Sequence, residues 1–155
     1  PPASGRVAAG TGGGLAYGDR MDMPAGFVAG ADLDPAETNI GPFLRRDDAA
    51  CVVTGLLVEP RHCNEHGSLH GGVQMALADY TCGITARFGM GAEGTVSVTF
   101  ESSFVDAGRL GDWVEGRADV VRRTGSLVFL QGRLTVGDRP LLVFSSVVKR
   151  LVSRR

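Results

Sequence analysis

Asn64, His70, Gly71, Gly72 and Asp79 lie in one short stretch, and their types and spacing suit acyl transfer to water. Gly71 and Gly72 stand where a polar turn, Asn64-Glu65-His66-Gly67-Ser68-Leu69-His70, gives way to an apolar segment starting at Val73. The first N–H groups of a helix have no internal acceptor, and the helix dipole favours negative charge beside them. Glycines there let a ligand oxygen approach with no side chain in the way. About two turns further on, Asp79 is the one charged residue between Val73 and Ala86. A carboxylate on such a segment is costly to bury and is kept where it has a partner or a task. An oxyanion site together with a carboxylate fits hydrolysis of an acyl group. The plainer readings are a solvent-facing Asp at a subunit edge, and glycines that only let a helix pack closely on a sheet.

These residues need a helix to position them, and its period is legible. Val73, Leu77, Tyr80, Ile84 and Phe88 form an apolar row at steps of three and four. Asp79 falls off that row beside Met75, Cys82 and Ala86, a face otherwise uncharged, so the helix is expected to be buried nearly all round. Asp79 is accordingly expected in or beside the interior. Gly89, Gly91 and Gly94 punctuate the helix end. Ahead of the motif, residues 49–59 are β-branched and apolar and are closed by Pro60, as a strand would be. Four strands are expected after the helix, over 95–105, 112–123, 126–136 and 141–152. Val96, Val98 and Phe100 alternate in the first of them, and Thr124-Gly125 and Gly137-Asp138 mark hairpins. One strand, one long helix and four strands predict an α+β domain over 41–155, an antiparallel sheet curled around a helix.

Residues 1–40 are expected to form a Gly/Ala-rich arm, flexible or packed on the surface. Thr11-Gly12-Gly13-Gly14 follows no strand and lacks the Lys-Ser/Thr ending of a phosphate loop. Asp34 followed by Pro35 fits the cap and first position of a short helical turn. Pro42-Phe43-Leu44 is expected to tuck apolar side chains onto the domain before Arg45-Arg46-Asp47-Asp48 turns to solvent.

At 155 residues the chain suits one domain with a real core, and 43% hydrophobic with 21% charged residues points to a globular protein, not a disordered one. A net charge of −1 offers no basic field to recruit nucleic acid or a membrane surface. No apolar run approaches membrane-spanning length. Three cysteines make no disulfide framework, and no secretory signal is visible, so a reduced, cytoplasmic setting is the expectation.

The ordered set Asn64-x2-Gly67-x2-His70-Gly71-Gly72-x6-Asp79 resembles the signature of the hotdog-fold thioesterases, specifically the PaaI-like acyl-CoA thioesterase family. The likeness continues in Val96-Ser97-Val98-Thr99-Phe100, in residues 109–116 (Arg-Leu-Gly-Asp-Trp-Val-Glu-Gly), and in the closing hairpin. It implies the hotdog fold and hydrolysis of an aromatic or medium-chain acyl-CoA to free acid and CoA. It also implies a homodimer or homotetramer, with no cofactor beyond the CoA of the substrate and no metal. By resemblance Asp79 is the base or water-orienting carboxylate, and the Gly71 N–H, with Gly72 beside it, is the oxyanion donor. Asn64 holds a water or the carbonyl, or else only satisfies its own turn. His70 orients. Ser97 helps the carboxylate orient water from the facing subunit. Arg122, Arg123 and Ser126 sit where relatives clamp the nucleotide.

Three other constellations compete less well. His62, His66 and His70 recur at steps of four beside Cys63, but Pro60 and Gly67 argue against the helix that would make them a metal face. Cys63 with His66 as base is a sequence neighbourhood only. Cys51 and Cys82 read as small core residues. Two rival functions remain on the same fold: a hydratase or dehydratase of acyl thioesters, whose catalytic His motif is not seen here, and an acyl-CoA-binding module without turnover.

Overall fold

The computed structural model describes residues 23–30, 33–90 and 94–151. Thr11 to Gly14, Gly91 and Val152 lie outside them. In chain order the elements are β1 (Val28–Ala29), α1 (Pro35–Ile40), β2 (Leu44–Asp47) and β3 (Val52–Leu57), then a 3-10 turn at Pro60–His62 and α2 (Gly71–Arg87). β4 (Gly94–Phe104), β5 (Trp113–Arg123), β6 (Leu127–Val136) and β7 (Arg139–Leu151) complete the chain. The strands form one antiparallel sheet in the order β1-β2-β3-β5-β6-β7-β4, with α2 packed against it. This is the α+β hotdog arrangement. The connection through α2 carries the chain from β3 to the far end of the sheet, so among the described residues β4 has a strand neighbour on one side only.

α2 packs tightly because the sheet makes room for it. Leu77, Ala78, Tyr80, Cys82, Ile84 and Ala86 are buried in a common core with Phe43, Leu56, Val114, Leu134 and Val148. At the crossing point the Thr54 and Thr81 hydroxyls pair at 2.6 Å, and Thr81 also donates to the Leu77 carbonyl at 2.7 Å. A Cβ on Gly116 would stand 2.3 Å from the first hydroxyl and 2.5 Å from the second, so only glycine permits this approach. The helix ends at Phe88, and Gly89 takes φ +69°, a left-handed turn that glycine adopts without strain.

Arg123 finishes that end. Its Nη1 donates to the Ala86 carbonyl at 2.8 Å and its Nη2 to that of Thr85 at 3.5 Å. Cationic donors on the last carbonyls of a helix satisfy orphan acceptors and oppose the dipole. Arg123→Met is expected to cost about 1–2 kcal/mol of stability in denaturant titration.

Two expectations need correction. Arg45-Arg46-Asp47 is not a solvent turn but β2, paired with β3 in the register Leu44↔Gly55 to Asp47↔Val52. Its charges hid a strand whose Leu44 is buried and whose Arg46 lies 4.7 Å over the Phe27 ring, held by Asp48 at 3.0 Å. Phe27 in turn meets Trp113 edge-on at 4.8 Å, so residues 27–29 are built into the sheet through β1. Cys51 is exposed, because β3 begins only at Val52; Cys82 alone of that pair is in the core. Asp34 caps α1 with Pro35 in its first turn, as its sequence implies. Among the described residues no helix is long and apolar enough to cross a membrane.

Candidate active site

The polar turn ahead of α2 is organised by Asn64 and His62. Asn64 Oδ1 accepts from the N–H groups of His66 (2.9 Å) and Ser68 (3.2 Å) and from the Ser68 hydroxyl (3.1 Å). Its oxygen is therefore spent on the loop, which leaves only its amide N–H groups for other partners. His62 is 1% exposed; its Nδ1 accepts from the Glu59 N–H at 3.0 Å, which leaves Nε2 to donate toward the Gly41 carbonyl at 3.4 Å. Its carbonyl accepts the His70 N–H at 2.8 Å, so this buried ring anchors the residue that starts the helix.

Burial, reinforced by the neighbouring Arg61 cation, holds the His62 imidazole below its ordinary value of 6.5. Below that pH the unfolded chain takes up a proton that the folded chain resists, so stability present above it is lost as pH falls. Denaturation midpoints measured from about pH 7.5 down to about pH 5 should drop for wild type and drop less for His62→Asn.

His70 is the N-cap of α2. Its Nδ1 accepts from the Gly72 N–H at 2.9 Å, and its carbonyl accepts from Val73 at 3.0 Å and Gln74 at 3.1 Å. The Gly71 N–H finds no acceptor among the described residues. The cap thus uses the donors around Gly71 and leaves Gly71 itself presented, at the positive end of a 17-residue helix. A hollow of about 400 Å³ opens there, lined by Gly71, Leu69, Gln74 and Phe104 among others.

Asp79, expected in or beside the interior, is exposed, so it lies beside the core and not in it. α2 is buried nearly all round, but Gly72, Met75 and Asp79 form a narrow uncovered stripe beside β4, the sheet's last strand. Ser97 on β4 donates its hydroxyl hydrogen to Asp79 Oδ1 at 2.5 Å. That contact is made within one chain, not from a facing subunit. A bulge makes it possible: the register of β4 against β7 shifts between Ser97 and Thr99, and the Ser146 hydroxyl meets the Thr99 carbonyl there at 2.9 Å. The extra residue, Val98, reverses the alternation. Thr95 and Ser97 before it, and Phe100 and Phe104 after it, all turn toward α2 or the core, while Val96 and Val98 are 45% and 55% exposed. The expected alternation of Val96, Val98 and Phe100 on one face is therefore broken. A second hollow, of about 280 Å³, lies at Asp79 with Thr95, Ser97, Gly83 and Arg87 in its wall.

Gly71 and Asp79 are not neighbours. They lie eight positions apart on the helix, a rise of about 12 Å, and a carboxylate cannot span that to a water attacking a carbonyl at Gly71. Met75 is exposed on the helix between the two hollows.

The remaining candidates stay apart from both. Arg122, Arg123 and Ser126 line neither hollow; Arg122 and Ser126 are exposed by the β5–β6 turn and Arg123 holds the end of α2. His66 is exposed beside Glu65 at 3.5 Å, whereas the half-buried Cys63 thiol points to the Glu59 carbonyl at 3.6 Å. Among the described residues no three His, Cys, Asp or Glu side chains are grouped to hold a metal ion. Burial pushes the Cys82 thiol up to about 12, which removes it as a nucleophile. Sequence reasoning passed over Gln74, whose one available signal is an amide three residues after Gly71 in an apolar run.

The model of the thioesterase superfamily matches residues 66–143. A Pseudomonas aeruginosa protein named "putative esterase" is 32% identical over 129 residues, covering 82% of this chain and 96% of that one. Among solved structures, the E. coli PaaI protein from the phenylacetic acid degradation operon superposes with a TM-score of 0.68 at 18% identity, covering 76% of this chain and 85% of that one. A hypothetical thioesterase of Streptococcus pneumoniae, solved with coenzyme A, gives 0.65 at 18% identity, covering 73% and 91%. The chain belongs to the thioesterase superfamily, as a hotdog-fold thioester hydrolase.

Proposed function

We propose that the protein hydrolyses acyl-CoA thioesters to free acid and CoA, at sites shared between two copies of the chain. The observation that carries this is the Gly71 N–H, left without an acceptor among the described residues at the head of α2, with Asp79 about 12 Å along the same helix. Two α2 helices running antiparallel about a two-fold axis would bring each Gly71 opposite the other's Asp79. β4 suits the contact, as the terminal strand of the sheet beside the uncovered helix stripe that carries Met75.

In such a site the thioester carbonyl accepts from the Gly71 N–H, which stabilises the oxyanion as it forms. Ser97 occupies Asp79 Oδ1, so Oδ2 takes the proton of the attacking water. The tetrahedral intermediate collapses with loss of the C–S bond, and the thiolate recovers a proton from the Asp79 carboxyl. These steps use no group beyond the substrate, water and the chain. Phe104, 54% exposed at the Gly71 hollow, offers an apolar surface to an aromatic or medium-chain acyl group. Arg122 and Ser126 on their exposed turn offer contacts to the CoA phosphates, and coenzyme A in the pneumococcal relative supports that choice of thiol.

Thiol release from a panel of acyl-CoAs tests the reaction, and subunit mixing tests the shared site. Asp79→Asn and Gly71→Pro chains should each be nearly inactive. A mixed dimer pairs one intact Gly71 with one intact Asp79, so random exchange should restore about a quarter of wild-type activity. No recovery on mixing would mean that each chain works alone. Tight CoA binding without thiol release would make the protein a binding module, and hydration of an enoyl-CoA would make it a hydratase.

A further inference from the structure

We infer that Gln74 reads a hydrogen-bond donor on the bound thioester, beside the carbonyl held by Gly71. This rests on the thioesterase reading and deepens it. Gln74 is 3% exposed and lies one turn into α2, in the wall of the same hollow as Gly71 and Phe104. Its Nε2 donates to the Leu69 carbonyl at 3.3 Å. A carbonyl only accepts, so the amide's orientation is set by its partner and the oxygen must point elsewhere. Oε1 is buried and has no donor among the described residues.

Apart from the Gly71 N–H, which the proposed reaction gives to the substrate carbonyl, the donors around the hollow are committed to other acceptors. The Ser68 hydroxyl goes to Asn64 Oδ1 at 3.1 Å, the Leu69 N–H to the Gly108 carbonyl at 2.9 Å, and the Ala107 N–H to Asp106 Oδ1 at 2.7 Å. The Val105 N–H goes to the Leu141 carbonyl at 2.8 Å. An apolar side chain of similar size would fill the position without stranding an acceptor, and a stranded buried acceptor is expensive. A ligand supplying an N–H or O–H meets that need when it binds, and an analogue lacking the group leaves the oxygen unpaired. Sites built this way discriminate well.

Two parts of an acyl thioester carry such a donor near the reacting carbonyl: the cysteamine amide N–H, and a hydroxyl on the acyl chain. Thiol release separates them with two substrate pairs. The first compares one acyl group on N-acetylcysteamine and on butanethiol, which lacks the amide. The second compares hydroxyacyl-CoA with its deoxy counterpart. Wild type should favour the donor-bearing member of one pair by about tenfold or more in kcat/KM, and Gln74→Met should shrink that ratio to within about threefold. The pair that responds names the source of the donor.

A merely structural Gln74 would lower the melting temperature and slow all substrates alike. Equal treatment of both pairs by wild type, or a preference that survives in Gln74→Met, would overturn the inference. Wild type alone decides it should the variant fail to fold. If wild type releases no thiol at all, the thioesterase reading fails separately, and the same ratios are then read as Kd by competition. Their absence there would also overturn the role of Gln74.

Discussion

Asp79→Asn is expected to lower kcat for acyl-CoA hydrolysis by about 10²–10⁴-fold, with KM changed little. Asparagine keeps the size of the side chain and its hydrogen bond from Ser97, but it cannot take a proton from water. Asp79 is exposed and outside the packed core, so the melting temperature should stay within a few degrees of wild type. The assay is steady-state thiol release beside a thermal melt. A variant that keeps most of its kcat would remove Asp79 from the chemistry. Ser97→Ala serves as the milder companion. It leaves the carboxylate in place and frees Oδ1, so its loss should be smaller and should fall on kcat.

Gly71→Pro removes a single hydrogen-bond donor with little else disturbed. Proline is favoured at the first position of a helix, where the N–H has no internal acceptor in any case. His70, the residue before it, already has φ −61° and ψ 134°, the extended conformation that a following proline demands. The ring must displace Phe104, whose Cε1 would lie 3.0 Å from a new Cβ, but Phe104 is a surface side chain with room to turn. Gly71→Ala carries the same Cβ and keeps the N–H, so it isolates the steric part. Gly71→Pro should lose about 10²–10³-fold in kcat and Gly71→Ala considerably less, with both melting near wild type. Equal losses in the two variants would assign the effect to crowding by Phe104 and deny the N–H a role in the transition state.

Local signals in the sequence were enough for α2 and the four strands that follow it. The three-and-four spacing of Val73, Leu77, Tyr80, Ile84 and Phe88 and the glycines that close the helix mark α2, and the turn residues Thr124-Gly125 and Gly137-Asp138 mark the hairpins that separate the last strands. Periodicity and turn chemistry act over a few residues, so a single chain of letters records them. β2 escaped because Arg45, Arg46 and Asp47 are charged. What makes that segment a strand is a neighbour, β3, and the Phe27 ring beneath Arg46.

The motif residues around the head of α2 were equally legible as a set, yet their division of labour was not. That Asn64 spends its oxygen on its own loop, and that His70 takes the Gly72 N–H and leaves that of Gly71, depends on where each acceptor ends up in space. Asp79 read as in or beside the interior because its helix is apolar on nearly every face. Sheet order decided between the two, since β4 is an edge and uncovers one stripe of α2. The bulge at Val98 is the clearest case. One extra residue in β4 swaps which side chains face the helix and so brings Ser97 to Asp79, and such a change of register exists only between paired strands. The sequence alone determined which groups are available for chemistry. Only the tertiary structure decided that Asp79 lies on an uncovered stripe beside β4 and takes the Ser97 hydroxyl, because strand order and register exist only in the folded sheet.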